Sequence, residues 1–234
     1  MLILPPTDAA TATAQVVDAC MRLQYPYRIA PYDIKPIALV PVMISGPVVP
    51  VRHYGSVDIF LEVLEYAPEN GILVIDNQNR KDEACIGDLV VLEAKNAGIQ
   101  AIVVNGLHRD TADLRQIGLP VFSCGTCPAG PTRLDRRDAA ALHSACFERF
   151  QVTPADTAFL DQDGVVFVET PHVDAVLEVA GSIRERERKQ ALETLHGVTL
   201  REQFQFQTYL TRRDTLEEYT FRQHLSSLSK SIEE

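Results

Sequence analysis

The feature that most constrains this chain is a pair of short apolar runs, Gly71-Ile-Leu-Val-Ile-Asp76 and Ala101-Ile-Val-Val104, with a helical pattern between them. Each run reads as a short buried strand. Pro68-Glu-Asn-Gly71 turns into the first, and the polar loop Asn77-Gln-Asn-Arg-Lys-Asp82 leaves it. Between the runs, Gly87-Asp88 opens a helix, Leu89, Leu92, Glu93 and Lys95 continue it, and Gly98 sits where a helix stops. A strand, helix, strand crossover is almost always right-handed and parallel. The expected fold is therefore α/β, with a central mixed or parallel sheet flanked by helices.

In open α/β sheets ligands collect beyond the carboxyl ends of strands, which is where Asp76-Asn77, Asn105-Gly106 and Arg109-Asp110 fall. Asp88 and Arg109 are separated by 20 residues that read as a helix and then a strand, so both can return to the same side of the sheet. Two carboxylates and a guanidinium then share one place. The backbone N–H groups of Gly87, Asp88, Leu89 and Val90 would open a helix N-terminus, which favours an anionic group.

The segment GDLVVLEAKNAGIQAIVVNGLHRD, followed by IGLPVFSCGTCPAGP, resembles the regulator-of-ribonuclease-E-activity-A-like (RraA-like) family. That family includes class II aldolases for 4-hydroxy-4-methyl-2-oxoglutarate and 4-carboxy-4-hydroxy-2-oxoadipate. The likeness runs from about Val16 to the helix near Arg188 and is densest between Gly71 and Pro131. It implies a swivelling α/β/α-type fold and a divalent-metal-dependent lyase that forms pyruvate through an enolate. The reaction would be retro-aldol cleavage of a 4-hydroxy-2-oxo acid, decarboxylation of oxaloacetate, or both.

The resemblance also assigns roles. Asp110 would hold Mg²⁺ or Mn²⁺, mostly through waters. Arg109 would grip the 2-oxo and carboxylate oxygens of the substrate, for which its planar fork is suited. The amides of Gly87, Asp88, Leu89 and Val90 would bind the same pyruvyl end, and Asp88 would hold or activate a water that removes the hydroxyl proton. Enzymes resembling this family assemble as trimers or pairs of trimers with sites at subunit interfaces. Glu187, or its neighbour Glu185, would then reach a neighbouring subunit's site. The bland counterparts are an N-cap at Asp88, a loop ion pair at Arg109-Asp110 and a solvated ion-paired face along Arg184-Glu-Arg-Glu-Arg-Lys189.

No lysine sits in the motif where a Schiff base would need one, although Lys95 lies within the helix. Charge stabilisation by a divalent metal is the natural alternative. Two other readings stand beside the pyruvate-forming lyase: the same site acting on another oxo-acid or sugar acid, and a noncatalytic protein that inhibits a ribonuclease by contact. Retention of Asp88, Arg109 and Asp110 speaks against the last, since a binder needs no metal-enolate site. A methyltransferase is rejected because no Gly-x-Gly nucleotide loop follows a strand.

Composition narrows the partners. With 234 residues, a net charge of −10 and a pI near 5.1, the chain suits a soluble cytoplasmic protein and argues against binding to a nucleic-acid backbone. No apolar run reaches the roughly 18 residues of a membrane span, and Met1-Leu-Ile-Leu-Pro-Pro lacks the basic start of a signal peptide. Cys124-Gly-Thr-Cys127 has half-zinc or redox spacing, but no second pair accompanies it, and it follows a strand rather than opening a helix. These read as ordinary thiols. Asp156 to Val168 reads as a hairpin with Asp163-Gly164 as its turn signal, and Asp161-x-Asp163-Gly164 as a turn, not a calcium loop.

Helices are expected over 10–23, 57–66 and 111–117 and from Val173 onward, with Asp110 or Thr111 capping the third. The runs Ile37–Ile44 and Gly46–Val51, broken by prolines, suggest edge strands or bends. His53 and His108 are candidates to line a pocket, the latter against the distal part of a substrate. The organisation expected is a catalytic domain over residues 1–190 and a helical C-terminal extension over 191–234. Its many aromatics would pack on a neighbouring subunit.

Overall fold

The structure is a computed structural model that describes residues 11–228. The described residues form two compact units, one of residues 26–173 and the other of residues 11–25 together with 174–228. The helix α5 (Val173–Leu195) runs without a break through residue 190.

The strand-bearing unit holds β1 (Tyr27–Ile29), β2 (Lys35–Pro36), β3 (Ile44–Arg52), α2 (Asp58–Glu65), β4 (Ile72–Asp76), β5 (Ala84–Ile86), α3 (Asp88–Asn96), β6 (Ala101–Asn105), β7 (Leu107–His108), α4 (Thr111–Ile117), β8 (Val121–Ser123), β9 (Ala145–Phe147), β10 (Phe150–Val152), β11 (Asp156–Leu160) and β12 (Val165–Glu169). Eight strands make one mixed sheet in the order β1-β12-β11-β3-β4-β6-β8-β2. The segment β3-β4-β6-β8 is parallel, as the crossover pattern requires, and the β11-β12 hairpin is antiparallel. At its turn, Asp161 Oδ1 accepts the Asp163 N–H at 2.9 Å and Gly164 takes φ 153°.

The continuous apolar runs of β4 and β6 follow from burial on both faces. Leu73, Ile75, Ile102 and Val104 point into one core with Ile59, Phe60, Val63 and Leu64 of α2, Val91 and Ala94 of α3, and Leu114 of α4. Ile72, Val74, Ala101 and Val103 point into a second core with Phe122, Phe147, Leu160 and Phe167. Period-two alternation therefore divides one apolar string between two layers.

Two expectations change. Residues 37–43 form no strand: Leu39 and Val42 are exposed, and beyond the Lys35–Pro36 ladder with β8 the Ile37 N–H alone reaches that strand, at the Val121 carbonyl, 2.9 Å. Nor is β3 an edge strand, despite Pro47 and Pro50. Its first half pairs antiparallel with β11 from Ile44 to Pro47, and its second half pairs parallel with β4 from Val48 to Arg52. Each half is paired on one side only, which leaves each proline a side where no ladder donor is required.

The helical unit contains α1 (Thr13–Leu23), α5, α6 (Leu200–Gln203), α7 (Phe206–Thr215) and α8 (Phe221–Ser227). Residues 11 and 12, expected as helix, are extended or irregular, and Ala10 lies outside the described residues. Capping boxes Thr199/Glu202 and Thr220/Gln223 start α6 and α8. Gln203 Nε2 donates to the carbonyls of Gln190 and Val198 at 3.1 and 2.9 Å, which ties the turn after α5 to α6. The tail aromatics Phe204, Phe206, Tyr209, Tyr219 and Phe221 pack on one another around the buried His224, whose Nε2 meets the Phe204 carbonyl at 2.8 Å.

Candidate active site

Beyond the carboxyl ends of the central strands, the two-stranded parallel pair β5–β7 sets the geometry. Ile86 stands opposite His108, so the residues that follow, Gly87 and Arg109, emerge side by side, and the Arg109 N–H donates to the Ile86 carbonyl at 3.0 Å. Gly87 is the N-cap of α3, its carbonyl accepting from Val91 at 3.1 Å, and Asp110 is the N-cap of α4. Two helix starts and the Arg109 side chain thus meet at one point, as the 20-residue spacing predicts.

Asp110 caps with its backbone alone. Its φ and ψ are 57° and 38°, a left-handed conformation uncommon for a residue with a side chain, and its carboxylate makes no cap bond to α4. The carboxylate turns instead to the other helix, with Oδ2 3.4 Å from the Asp88 N–H and 3.3 Å from Arg109 Nε. Gly87 makes this possible, because a Cβ there would stand 2.3 Å from Asp110 Oδ2 and 3.1 Å from Arg109 Nε. Backbone strain held at such a position is a common mark of a functional site.

The Asp88 carboxylate is half-buried, and its Oδ1 accepts the Leu89 N–H at 2.8 Å. One of the amides expected to face an anion is therefore engaged by the neighbouring side chain. Val90 is buried, while the Leu89 side chain is 76% exposed and leaves the helix mouth open. Arg109 is 47% exposed, so its fork can meet a ligand from solvent.

The donor set suits a hydrated hard cation rather than an all-protein cage. Among the described residues no three His, Cys, Asp or Glu side chains converge on a point. Asp110 Oδ2, unused by its own helix and partly exposed at 34%, is the kind of single carboxylate that Mg²⁺ accepts beside several waters.

His108 lies elsewhere than expected. Its side chain is buried, with Nδ1 2.6 Å from Ser123 Oγ and Nε2 2.9 Å from Thr111 Oγ1, and burial holds the imidazole below its ordinary pKa. It braces the base of α4, with both ring nitrogens engaged by side-chain hydroxyls. His53 is likewise buried, stacked on Phe60 with ring centroids 5.2 Å apart, and Nδ1 meets Asn77 Oδ1 at 2.8 Å. Asp76 is consumed by Arg52 Nε at 3.3 Å and by the Cys146 and Gln78 N–H groups at 3.2 and 2.9 Å. Glu187 belongs to the helical unit, where its Oε2 accepts from Gln15 Nε2 at 2.8 Å.

One cluster escapes sequence reasoning. The buried Glu83 carboxylate receives Arg133 Nε at 3.1 and 3.2 Å and Nη2 at 2.9 Å, and the same Nη2 reaches Asn77 Oδ1 at 3.0 Å. Glu83 lies just before β5, and Arg133 lies in the irregular segment after β8. No local periodicity links residues so far apart. A charged residue next to a buried strand is the only hint.

The model of the RraA-like family, described as Aldolase/RraA, matches residues 13–167, well over half the chain and all of the Gly87–Asp110 site. The chain belongs to the RraA-like family. An uncharacterised protein of Methanocaldococcus jannaschii is 27% identical over 171 residues, covering 72% of this chain and 81% of its own. A Shewanella oneidensis protein, provisionally named a 4-hydroxy-4-methyl-2-oxoglutarate aldolase, is 27% identical and covers 53% of this chain and 74% of its own. Among solved structures, an unusual member of the RNase ES inhibitor RraA protein family from Streptomyces coelicolor superposes with a TM-score of 0.65. It is 21% identical and covers 78% of this chain and 93% of its own. That likeness shows the shared RraA-like fold: a mixed sheet flanked by helices, with a helical region after it.

Proposed function

We propose that this RraA-like chain is a divalent-metal-dependent carbon–carbon lyase that releases pyruvate from a 4-hydroxy-2-oxo acid, from oxaloacetate, or from both. The observation that carries this is the meeting of the Asp88 N–H, the Arg109 guanidinium and the Asp110 carboxylate at the mouth of α3, with Gly87 making room for that carboxylate. A site for contact inhibition of a ribonuclease has no use for a carboxylate carried on a left-handed backbone and turned away from its own helix.

Each residue has a task in such a cleavage. Arg109 binds the C1 carboxylate and 2-oxo oxygens with its planar fork, orienting the bond to be broken. Asp88, through a water, takes the proton of the C4 hydroxyl. The C4 oxygen then becomes a carbonyl as the C3–C4 bond breaks, and the electron pair moves onto the 2-oxo oxygen to give the enolate of pyruvate. Protonation at C3 completes the product. A divalent cation held by Asp110 and water would supply positive charge against that developing oxyanion. Glu187 joins from a neighbouring subunit of a trimer or hexamer, and the substrate is a small 2-oxo acid.

The test is pyruvate release from oxaloacetate and from 4-hydroxy-4-methyl-2-oxoglutarate, with Mg²⁺ or EDTA, for wild type and Arg109→Ala. Metal-dependent release that Arg109→Ala abolishes supports the lyase. Wild-type protein that binds Mg²⁺ yet releases no pyruvate from either compound overturns the pyruvate reaction, and protein that binds no Mg²⁺ overturns the metal site.

A further inference from the structure

The segment between β8 and β9 passes the candidate site as an irregular strap, yet it is fastened in several places. Ala129 accepts the N–H of Ala84, the first residue of β5, at 2.8 Å. The Arg133 side chain, only 13% exposed, ends on the buried Glu83 and on Asn77. Asp135 donates its N–H to the Tyr54 carbonyl at 2.9 Å. Gly55, at φ 101°, lets the strap lie close, since a Cβ there would stand 2.3 Å from the Arg133 carbonyl oxygen. Between the first two anchors lies Gly130, where a Cβ would come within 2.9 Å of Arg109 Nη1.

From this we infer that Arg133 and Gly130 are positioning residues for the Arg109 guanidinium: the Arg133–Glu83 ion pair holds the strap, and the bare backbone at Gly130 sets where the fork lies. The inference rests on the reading of Arg109 as the substrate-binding cation. Three features favour a positioning role over a merely structural one. Glu83 directly precedes β5, the strand that leads into Gly87, so one ion pair ties the strap to the strand that starts the site. The contact at Gly130 falls on the far end of the Arg109 side chain, which can swing aside without disturbing the backbone. A guanidinium gains two parallel bonds to a carboxylate only when its plane is correctly set.

The experiment measures binding of oxalate, a planar two-carboxylate mimic of the pyruvate enolate, by calorimetry in the presence of Mg²⁺. Wild type, Arg109→Ala, Gly130→Ala, Arg133→Lys and Arg133→Met are compared, with Mg²⁺ binding alone and thermal unfolding as controls. Gly130→Ala is expected to weaken oxalate roughly tenfold while Mg²⁺ affinity and the melting temperature stay as in wild type. KM for the cleaved oxo acid should rise by a similar factor. Arg133→Lys should shift oxalate affinity in the same direction and by less than Arg133→Met, which leaves the buried Glu83 with Arg80 Nε at 3.7 Å as its ion-pair partner and also lowers the melting temperature.

Gly130→Ala and Arg133→Lys binding oxalate as tightly as wild type, while Arg109→Ala does not, would overturn the positioning role and leave the lyase reading standing. Wild type and Arg109→Ala binding oxalate equally would overturn the substrate-binding role of Arg109, and this inference with it.

Discussion

Gly87 and Asp110 share one volume: the carboxylate oxygen Oδ2 of Asp110 lies 2.3 Å from where a Cβ on Gly87 would stand. The backbone at Gly87 has φ −144°, open to any residue, so Gly87→Ala charges its cost to the site and not to the fold. The expected outcome is a drop in Mg²⁺ affinity of at least about tenfold, roughly 1.4 kcal/mol, with an unfolding midpoint close to wild type. Titration with Mn²⁺ followed by electron paramagnetic resonance would read this directly.

Asp110→Asn separates charge from shape. Asparagine is among the residues most tolerant of the left-handed conformation that Asp110 adopts, so the start of α4 should survive. On the proposed lyase reading the lost charge is the cation's anchor, and pyruvate release should fall by about two orders of magnitude or more. Circular dichroism beside a coupled pyruvate assay distinguishes this from unfolding.

Glu187→Gln and Arg109→Ala should each be poorly active alone and regain activity when mixed and reassembled. If Glu187 completes a neighbouring subunit's site as proposed, the mixture contains sites with an intact Arg109 from one chain and an intact Glu187 from the other. Absence of any regain, with mixed oligomers confirmed by mass, would remove Glu187 from the site.

His53 predicts a pH dependence of stability. Burial lowers its pKa, reinforced by Arg133, while the Asn77 hydrogen bond and Glu83 oppose the shift. A histidine held neutral in the fold is protonated first in the unfolded chain, so stability should fall as pH drops from about 6.5 towards the lower folded value. Urea unfolding at pH 7.5 and 5.5 should show a larger loss for wild type than for His53→Gln. Equal losses would point to another group.

The two-layer core gives a plainer expectation. Phe167→Ala, at a fully buried position, should cost about 3–5 kcal/mol by urea unfolding, and Leu89→Ala, on an exposed one, about 0.5 kcal/mol or less.

Much of the frame is legible in the residues. The β4-α3-β6 unit announces itself through two apolar runs whose alternate residues serve different layers, and the spacing from Asp88 to Arg109 is enough to bring both ends together. The turn at Asp161–Gly164 is equally local. What stays hidden depends on distant contacts. Prolines in β3 argue for an edge, but pairing on one side at a time makes them harmless within the sheet. His108 beside Arg109 reads as a ligand contact until Ser123 and Thr111 claim both ring nitrogens. Glu83 and Arg133 carry no local signal, because only the folded strap brings them together.

The divided pairing of β3 also bears on the order in which the protein can be assembled during synthesis. Its second half finds β4 within a short stretch of chain, and β6 and β8 extend that parallel block by Ser123. Its first half waits for Thr157–Leu160, more than a hundred residues downstream, and those residues must themselves pair with Val165–Val168. A nascent chain therefore presents an apolar strand with one half satisfied and the other bare until the last hairpin leaves the ribosome. The first half of β3, from Ile44 to Pro47, is an open sheet edge until then.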